Sequence, residues 1–210
     1  MNKMSVEALC LSGGEPASGE HDAACLSMLL QAMALNNDSF LDGSGAVCGD
    51  PTETALFVCA LDRGFAKQEL EKTCPRVAEV PFDSERKMMT TLHRLSDGGV
   101  ISLTKGAAEA LLALSSVAYA AGGSRQLGRD AVQRRAAELA ENGLRVLGFA
   151  MRRWDRLPED LSPAAVETEL TFIGLAGLID PERPEAREAV ALCATAGIKP
   201  VMITGDHPVT

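Results

Sequence analysis

The sequence predicts an α+β protein: an antiparallel sheet flanked by helices, followed by a truncated βαβ piece of a parallel sheet. Two observations support this prediction. Through residue 168, strand-like runs and a hairpin turn alternate with helical stripes, which is typical of an antiparallel sheet with helices on one side. Residues 171–204 instead read strand, helix, strand, the order of a parallel crossover. We therefore expect two domains, residues 1–168 and 169–210, joined by the linker-like segment DRLPEDLSPAAVET.

Short patterns predict the elements of the first domain. Residues 4–11 alternate as in a strand, and the apolar residues from Leu26 to Met33 recur at helical spacing. The segments KMMTTLHRL and GVISLTKG flank SDGG, which is a good hairpin connection. Two further helices are expected in AAEALLALSSVA and GRDAVQRRAAELAENG, and an apolar strand is expected in LRVLGFAMRRW.

The segment GDPTETAL, residues 49–56, has the pattern of a helix start. Asp50 is a sound N-cap, Pro51 suits the first helical position, and Glu53 completes the spacing of a capping box. The same polar residues are also suited to ligand binding. The segment alone therefore leaves both interpretations open.

Charge and composition argue against several kinds of partner. A net charge of −9 argues against nucleic acid, because phosphate binding requires a concentrated basic face. The apolar run FIGLAGLI at residues 172–179 is far shorter than the roughly 20 residues that span a bilayer, so we expect no transmembrane segment. The six cysteines form no CxxC pair, which favours reduced thiols and no metal site in the chain.

Three further residues are unusual for their surroundings. Phe82, one of few aromatic residues, lies beside a polar turn. Lys105 ends a strand directly before Gly106, and Arg145 interrupts an apolar strand, where a buried guanidinium needs a carboxylate or a phosphate. An edge-of-core ring and a solvated lysine are the ordinary explanations for the first two. The chain has neither a GxxxxGKS/T loop nor a GxGxxG turn, so a bound nucleotide would be held in another way.

Six motifs occur together and in order: GDPTETAL, VPFDSERKMM, TKGAAE, GLRVLGFA, LIDPERPEAREAV and VMITGD. In sequence and approximate spacing they resemble the large cytoplasmic loop of P-type cation-transporting ATPases, and most of all the type II, calcium-pump branch. The resemblance covers essentially the whole chain. It implies a nucleotide-binding domain over residues 1–168 and part of the phosphorylation domain, a haloacid-dehalogenase-like parallel sheet, over residues 169–210.

The resemblance implies that the first domain binds ATP through its adenosine end. Phe82 would stack on adenine, and Glu53 would accept a hydrogen bond from the adenine amino group while still capping its helix. Lys105 would line the deep end of the pocket, where Gly106 leaves room. The resemblance also assigns apolar walls to Met89 and Leu147, ribose and phosphate contacts to Lys87 and Arg145, and a second polar contact to Thr52.

For the second domain, the resemblance implies a phosphoryl-contacting motif and a closure surface around ATP. The motif comprises Thr204, Gly205 and Asp206, and the closure surface comprises Asp180, Arg183 and again Asp206. The resemblance also implies that the chain begins just after the phosphorylated aspartate and ends before the main metal carboxylate. We therefore expect a soluble cytoplasmic fragment that binds ATP weakly and is catalytically inactive. The full-length pump is expected to use Mg-ATP and to add actuator and membrane domains.

Two alternatives stay open. A haloacid-dehalogenase-type phosphatase would use ITGD as its threonine motif, but it needs a nucleophile loop that does not precede Thr204. A docking module is the other alternative, because unpaired strand edges at residues 171–204 would recruit further strands and promote self-association.

Overall fold

A computed structural model describes residues 4–15, 23–180 and 184–201. The strands in these ranges are β1 (Ser5–Leu11), β2 (Phe40–Leu41), β3 (Val47–Cys48), β4 (Arg76–Asp83), β5 (Met88–Arg94), β6 (Val100–Ala107), β7 (Ser115–Ala120), β8 (Gly123–Gln126), β9 (Arg145–Trp154) and β10 (Leu170–Ile179). The helices are α1 (Ala23–Leu35), α2 (Pro51–Leu61), α3 (Lys67–Thr73), α4 (Ala108–Leu114), α5 (Arg129–Glu141), α6 (Pro163–Val166) and α7 (Pro184–Thr195). None of these helices is both long enough and apolar enough to cross a membrane.

Eight of the strands form one mixed sheet. Seven of them follow the order β4-β5-β6-β9-β10-β7-β8, and β1 pairs with β10 beside β7. Among the described pairs of this sheet, β10 with β7 is the parallel one. The predicted hairpin of β5 and β6 is confirmed by their antiparallel register.

Helices cover both faces of the sheet. On the face covered by α1 and α2, Leu29, Leu56 and Phe149 are almost completely buried. On the face covered by α4 and α5, Leu111 and Phe172 are completely buried in a second core cluster. The prediction of helices on one side is therefore wrong. Strands with apolar residues on both faces need two covering layers.

The strand β10 lies inside this sheet. It pairs with β9 along one edge and with β1 and β7 along the other. The prediction that it opens a separate parallel sheet with unpaired edges is wrong, because an apolar strand also suits the middle of a sheet with two helical layers. The predicted boundary between residues 168 and 169 falls directly before this central strand. A haloacid-dehalogenase-like piece is not confirmed, and most of the last predicted strand lies outside the described residues.

The segment AAEALLALSSVA, predicted as one helix, is divided in the structure. Helix α4 covers Ala108–Leu114, and Ser115 begins β7. The Ser115 hydroxyl is buried and donates to the Leu111 carbonyl at 2.7 Å, which closes the helix. Val117 and Tyr119 then suit a strand, because β-branched and aromatic residues pack well on a pleated surface.

His93 on β5 is a fully buried histidine. Its Nδ1 faces the Cys74 carbonyl at 3.1 Å and must donate there, which leaves Nε2 to accept from the Thr91 hydroxyl at 2.9 Å. Burial is the main cause that lowers the pKa of His93 to about 4, and the charges of Arg76 and Lys67 lower it further. The folded protein therefore holds this imidazole neutral.

This histidine should make the fold sensitive to mild acid. An unfolded histidine titrates near 6.5, so between pH 6.5 and 4 the unfolded chain binds more protons, and the stability from neutral His93 is lost as pH falls. Through this group alone, the free energy of unfolding should fall by about 2 kcal/mol from pH 7 to pH 5. Urea unfolding at both pH values measures the loss. His93→Gln should show a correspondingly smaller pH dependence, and an equal dependence in both proteins would contradict the prediction.

Candidate functional site

A row of three residues crosses the α1–α2 face of the sheet: Phe82 on β4, Met89 on β5 and Lys105 on β6. Met89 on β5 pairs with Lys105 on β6, and Lys105 pairs with Phe149 on β9. On the outer side, the β4–β5 register shifts so that Pro81 and Phe82 together oppose Met89. This β-bulge places Phe82 two strands from Lys105, about 10 Å at the usual strand spacing. Three residues that the resemblance assigns to adenine therefore lie on neighbouring strands.

The ring of Phe82 is largely uncovered. The residue is 64% exposed, whereas the neighbouring Met89 is buried. In this structure Phe82 is thus not an edge-of-core residue. An exposed aromatic ring beside an apolar side chain is suited to stacking on a flat ligand.

Lys105 forms a buried ion pair with Glu53. Its ammonium nitrogen lies 2.5 Å from Glu53 Oε1 and 2.6 Å from the Asn36 carbonyl oxygen. The two charged side chains are only 9% and 14% exposed. Burial is the main cause that lowers the pKa of Lys105, and the carboxylate of Glu53 opposes that shift. Lys105 is therefore not a solvated surface lysine.

Glu53 does not complete the predicted capping box. Asp50 caps α2 as predicted, accepting from the Thr52 backbone N–H at 2.9 Å. Glu53 Oε2 instead accepts from the Asp38 backbone N–H at 2.9 Å, while its Oε1 contacts Lys105. The prediction that Glu53 caps its own helix is wrong, because its carboxylate points to the Lys105 ammonium and the Asp38 N–H instead.

The loop that follows α1 holds this ion pair in place. Asn36 Nδ2 donates to the carbonyls of Leu103 at 2.7 Å and Met89 at 3.3 Å. Asn37 Nδ2 donates to the backbone carbonyl of Glu53 at 2.8 Å. Both asparagines are fully buried. Two adjacent asparagines after an apolar stripe are the sequence signal that could have indicated this buried polar contact.

The start of α2 also contacts β9. Arg145 is exposed where β9 begins, and its Nη1 donates to Thr52 Oγ1 at 3.1 Å. The expectation of a buried guanidinium is therefore wrong, since the strand starts at this residue. Leu147 pairs with Ala107 and packs against the core of the α1–α2 face. Its register places Leu147 on the same face as Lys105.

Gly106 faces the β4–β5 turn, and Lys87 lies near α4. Because adjacent strand residues point to opposite faces, Gly106 faces away from the Lys105 side. A Cβ on Gly106 would collide with the Lys87 carbonyl and lie 2.6 Å from Met88 Cβ. The prediction that Gly106 leaves room for a ligand is wrong: its small size admits the backbone of the β4–β5 turn. Lys87 has a positive φ of 56°, and its ammonium lies 3.8 Å from Glu109 Oε1 on α4.

The residues predicted for the phosphoryl-contacting motif and the closure surface can be located only in part. Thr204, Gly205, Asp206 and Arg183 lie outside the described residues. Asp180 follows β10 and is exposed. The roles that the resemblance implies for these residues stay predictions.

Two cavities bounded by described residues lie away from the row. One of about 270 Å³ is lined by residues that include Tyr119 and Arg125. The other, of about 340 Å³, lies beside β1 and is lined by residues that include Arg63 and Arg135. Neither contains a residue of the row. These two cavities therefore say nothing about the row itself, where Phe82 is exposed and Met89 and Lys105 are buried.

Comparison with known proteins gives one family. The family model described as P-type ATPase, cytoplasmic domain N, matches residues 25–185. The probable cation-transporting ATPase F of Mycobacterium tuberculosis is 40% identical over 203 residues, covering 95% of this chain and 22% of the relative. The calcium-transporting ATPase of Bacillus subtilis is 41% identical over 188 residues, covering 86% of this chain and 21% of the relative.

A cation-transporting ATPase of Synechocystis is 41% identical over 177 residues, covering 82% of this chain and 19% of the relative. The chain spans about a fifth of the length of these relatives. Their names agree with the family model over most of the chain. The chain therefore belongs to the P-type ATPases and contains their cytoplasmic domain N.

Proposed function

We propose that this domain binds the adenosine end of ATP on the row formed by Phe82, Met89 and Lys105. The observation that carries the proposal is an exposed aromatic ring on the same sheet face as a buried ammonium–carboxylate pair. Membership of the P-type ATPases supports a nucleotide as the ligand. In the whole pump, this binding would supply ATP for cation transport, with calcium favoured by the name of one relative.

An adenine ring matches the chemistry of the row. Its flat face would stack on Phe82, a contact typically worth about 1–3 kcal/mol per base. Each Glu53 oxygen already has one donor but keeps a second lone pair, which would accept from the exocyclic amino group. Among the described residues, Lys105 has partners for two of its three N–H donors, so the third would reach a ring nitrogen.

Guanine matches the row less well. Its exocyclic oxygen would occupy the position of the adenine amino group and would face the Glu53 carboxylate. Two acceptors would then meet without a proton between them, and a buried acceptor left unpaired is costly. The row should therefore prefer adenine nucleotides.

We propose further that these 210 residues bind ATP without hydrolysing it. Phosphoryl transfer needs an in-line nucleophile and a metal ion that offsets the charge of the phosphates. The sequence contains no DKTGT motif, whose aspartate is the phosphorylated residue that the resemblance implies. Arg145 and Thr52 would contact the ribose or phosphates, while Mg-ATP hydrolysis would require the phosphorylation, actuator and membrane domains of the pump.

Calorimetric titration with ATP, AMP and GTP tests this function. ATP and AMP should bind with similar affinities, because the adenosine end makes most of the contacts. Stacking and a few hydrogen bonds should give about 4–5 kcal/mol, a millimolar to sub-millimolar Kd. GTP should bind several-fold more weakly. Equal binding of GTP would contradict the assignment of Glu53, and absence of ATP binding at millimolar concentrations would contradict the proposed function.

A further inference from the structure

Glu167 is a buried carboxylate in the segment predicted to be a linker. It directly follows α6, and only 5% of the residue is exposed. Both of its oxygens lie 2.5 Å from Arg86 Nη1, and Oε1 also accepts from the Thr90 hydroxyl at 3.0 Å. The hydroxyl of Thr90 in turn lies 2.9 Å from that of Thr104. The supposed linker is therefore fixed to the centre of β5 and β6.

Arg86 connects this carboxylate to the bulge that contains Phe82. Its Nη2 donates to the Pro81 carbonyl at 2.6 Å, while its Nη1 contacts Glu167. The N–H donors of a guanidinium are held in a fixed fork, so one planar group orients both partners at once. The position of the Pro81 backbone therefore depends on where Glu167 holds Arg86.

The network lies on the opposite face of the sheet from the candidate site. Thr90 pairs with Thr104, and the next pair along the two strands is Met89 with Lys105. Because successive residues alternate between faces, the hydroxyls contacted by Glu167 point away from the Lys105 side. Glu167 therefore does not contact a purine bound on that side. Any effect on binding must pass through the backbone of the bulge.

We propose that Glu167 is a positioning residue for nucleotide binding, which sets the orientation of the Phe82 ring through Arg86 and the Pro81 carbonyl. The inference rests on the proposed function, since it concerns the same ring. Phe82 is 64% exposed, so its own packing does little to orient it. The bulge backbone is what fixes the direction of the ring, and Arg86 holds that backbone.

Glu167→Gln tests the inference, with Glu169→Gln as the matched control. Glu169 also pairs with an arginine, Arg152 at 2.8 Å, but its side chain is 72% exposed. Glu167→Gln should weaken ATP binding about fivefold. A loss of this size is part of the binding free energy that base stacking provides. Glu169→Gln should leave the affinity unchanged. Wild-type affinity in folded Glu167→Gln protein would overturn the inference.

A double-variant cycle separates positioning from a general loss of structure. If Glu167 acts through the ring, protein carrying both Glu167→Gln and Phe82→Ala should bind ATP no more weakly than Phe82→Ala alone. Additive losses would overturn the inference, because they would mean that the carboxylate affects binding by a route that does not include the ring.

Arg86→Lys provides a second variant that retains the positive charge opposite Glu167. A lysine ammonium lacks the fixed fork, so it cannot hold the carboxylate and the Pro81 carbonyl in the same geometry. The same fivefold loss is expected, and wild-type affinity would overturn the inference.

Wild-type protein and Phe82→Ala report on the proposed function: it fails if the wild type does not bind ATP or if Phe82→Ala binds equally well. If Phe82→Ala weakens binding while Glu167→Gln and Arg86→Lys do not, only this inference fails.

Discussion

Replacing Glu53 by alanine is expected to lower the free energy of unfolding by about 3–5 kcal/mol, the usual cost of breaking a buried ion pair by removing one partner. The ammonium of Lys105 would stay in a site where only 9% of its side chain is exposed, without the carboxylate that offsets its burial. The Asp38 N–H would also lose its acceptor. Urea unfolding at neutral pH measures the loss.

Glu109→Ala is the matched control for this prediction. Glu109 also lies near a lysine, Lys87 at 3.8 Å, but the two side chains are 71% and 63% exposed. An exposed pair contributes little, so the control should lose less than about 1 kcal/mol. Combining Glu53→Leu with Lys105→Met should regain much of the stability, because no charge is then buried alone. A loss in Glu53→Ala no larger than in Glu109→Ala would contradict the ion-pair account.

Phe82→Ala is expected to weaken ATP binding by about tenfold or more while leaving the free energy of unfolding nearly unchanged. Removing the ring removes the stacking contact, about 1–3 kcal/mol per base. The residue is 64% exposed, so its truncation costs the core little. Phe82→Ala should thus lose affinity with little loss of stability, whereas Glu53→Ala should lose stability as well as the proposed hydrogen bond to adenine.

Leu192→Ala is the control for the loss of Phe82. Leu192 lies on α7 and is 69% exposed, so it is another exposed large apolar residue, but it lies outside the row. Its replacement should change neither the affinity for ATP nor the stability. Titration of both variants with ATP, together with their urea midpoints, measures the difference. Equal ATP affinities of Phe82→Ala and wild-type protein would contradict the stacking role.

Local sequence patterns predicted much of the fold, whereas the residues of the candidate site came from the resemblance to a known family. Strand alternation and the SDGG turn predicted β5 and β6, which carry Met89 and Lys105. The start of α2 was also predicted, because the cap by Asp50 depends on residues close in sequence. The ion pair was not predicted, because Lys105 and Glu53 are brought together only by the packing of α2 on the sheet.

Local sequence patterns also could not predict the position of β10 in the sheet. A strand that is apolar on both faces suits a parallel sheet and equally suits the centre of a mixed sheet between two helical layers. Its partners, β1 and β9, decide between these, and β1 lies at the opposite end of the chain. Glu167 was missed because its polar neighbours in sequence suggested a solvated linker, whereas its partner Arg86 lies far away along the chain.

The most direct test of the adenosine site is a measurement of intermolecular nuclear Overhauser effects between AMP and the protein. We expect contacts from the adenine protons to the Phe82 ring and the Met89 methyl group, together with a shift of the Lys105 ammonium signal. Contacts to Tyr119, which lines the cavity of about 270 Å³, would place the nucleotide elsewhere. That result, or saturation with AMP without any contact to Phe82, would contradict binding of adenosine on the row.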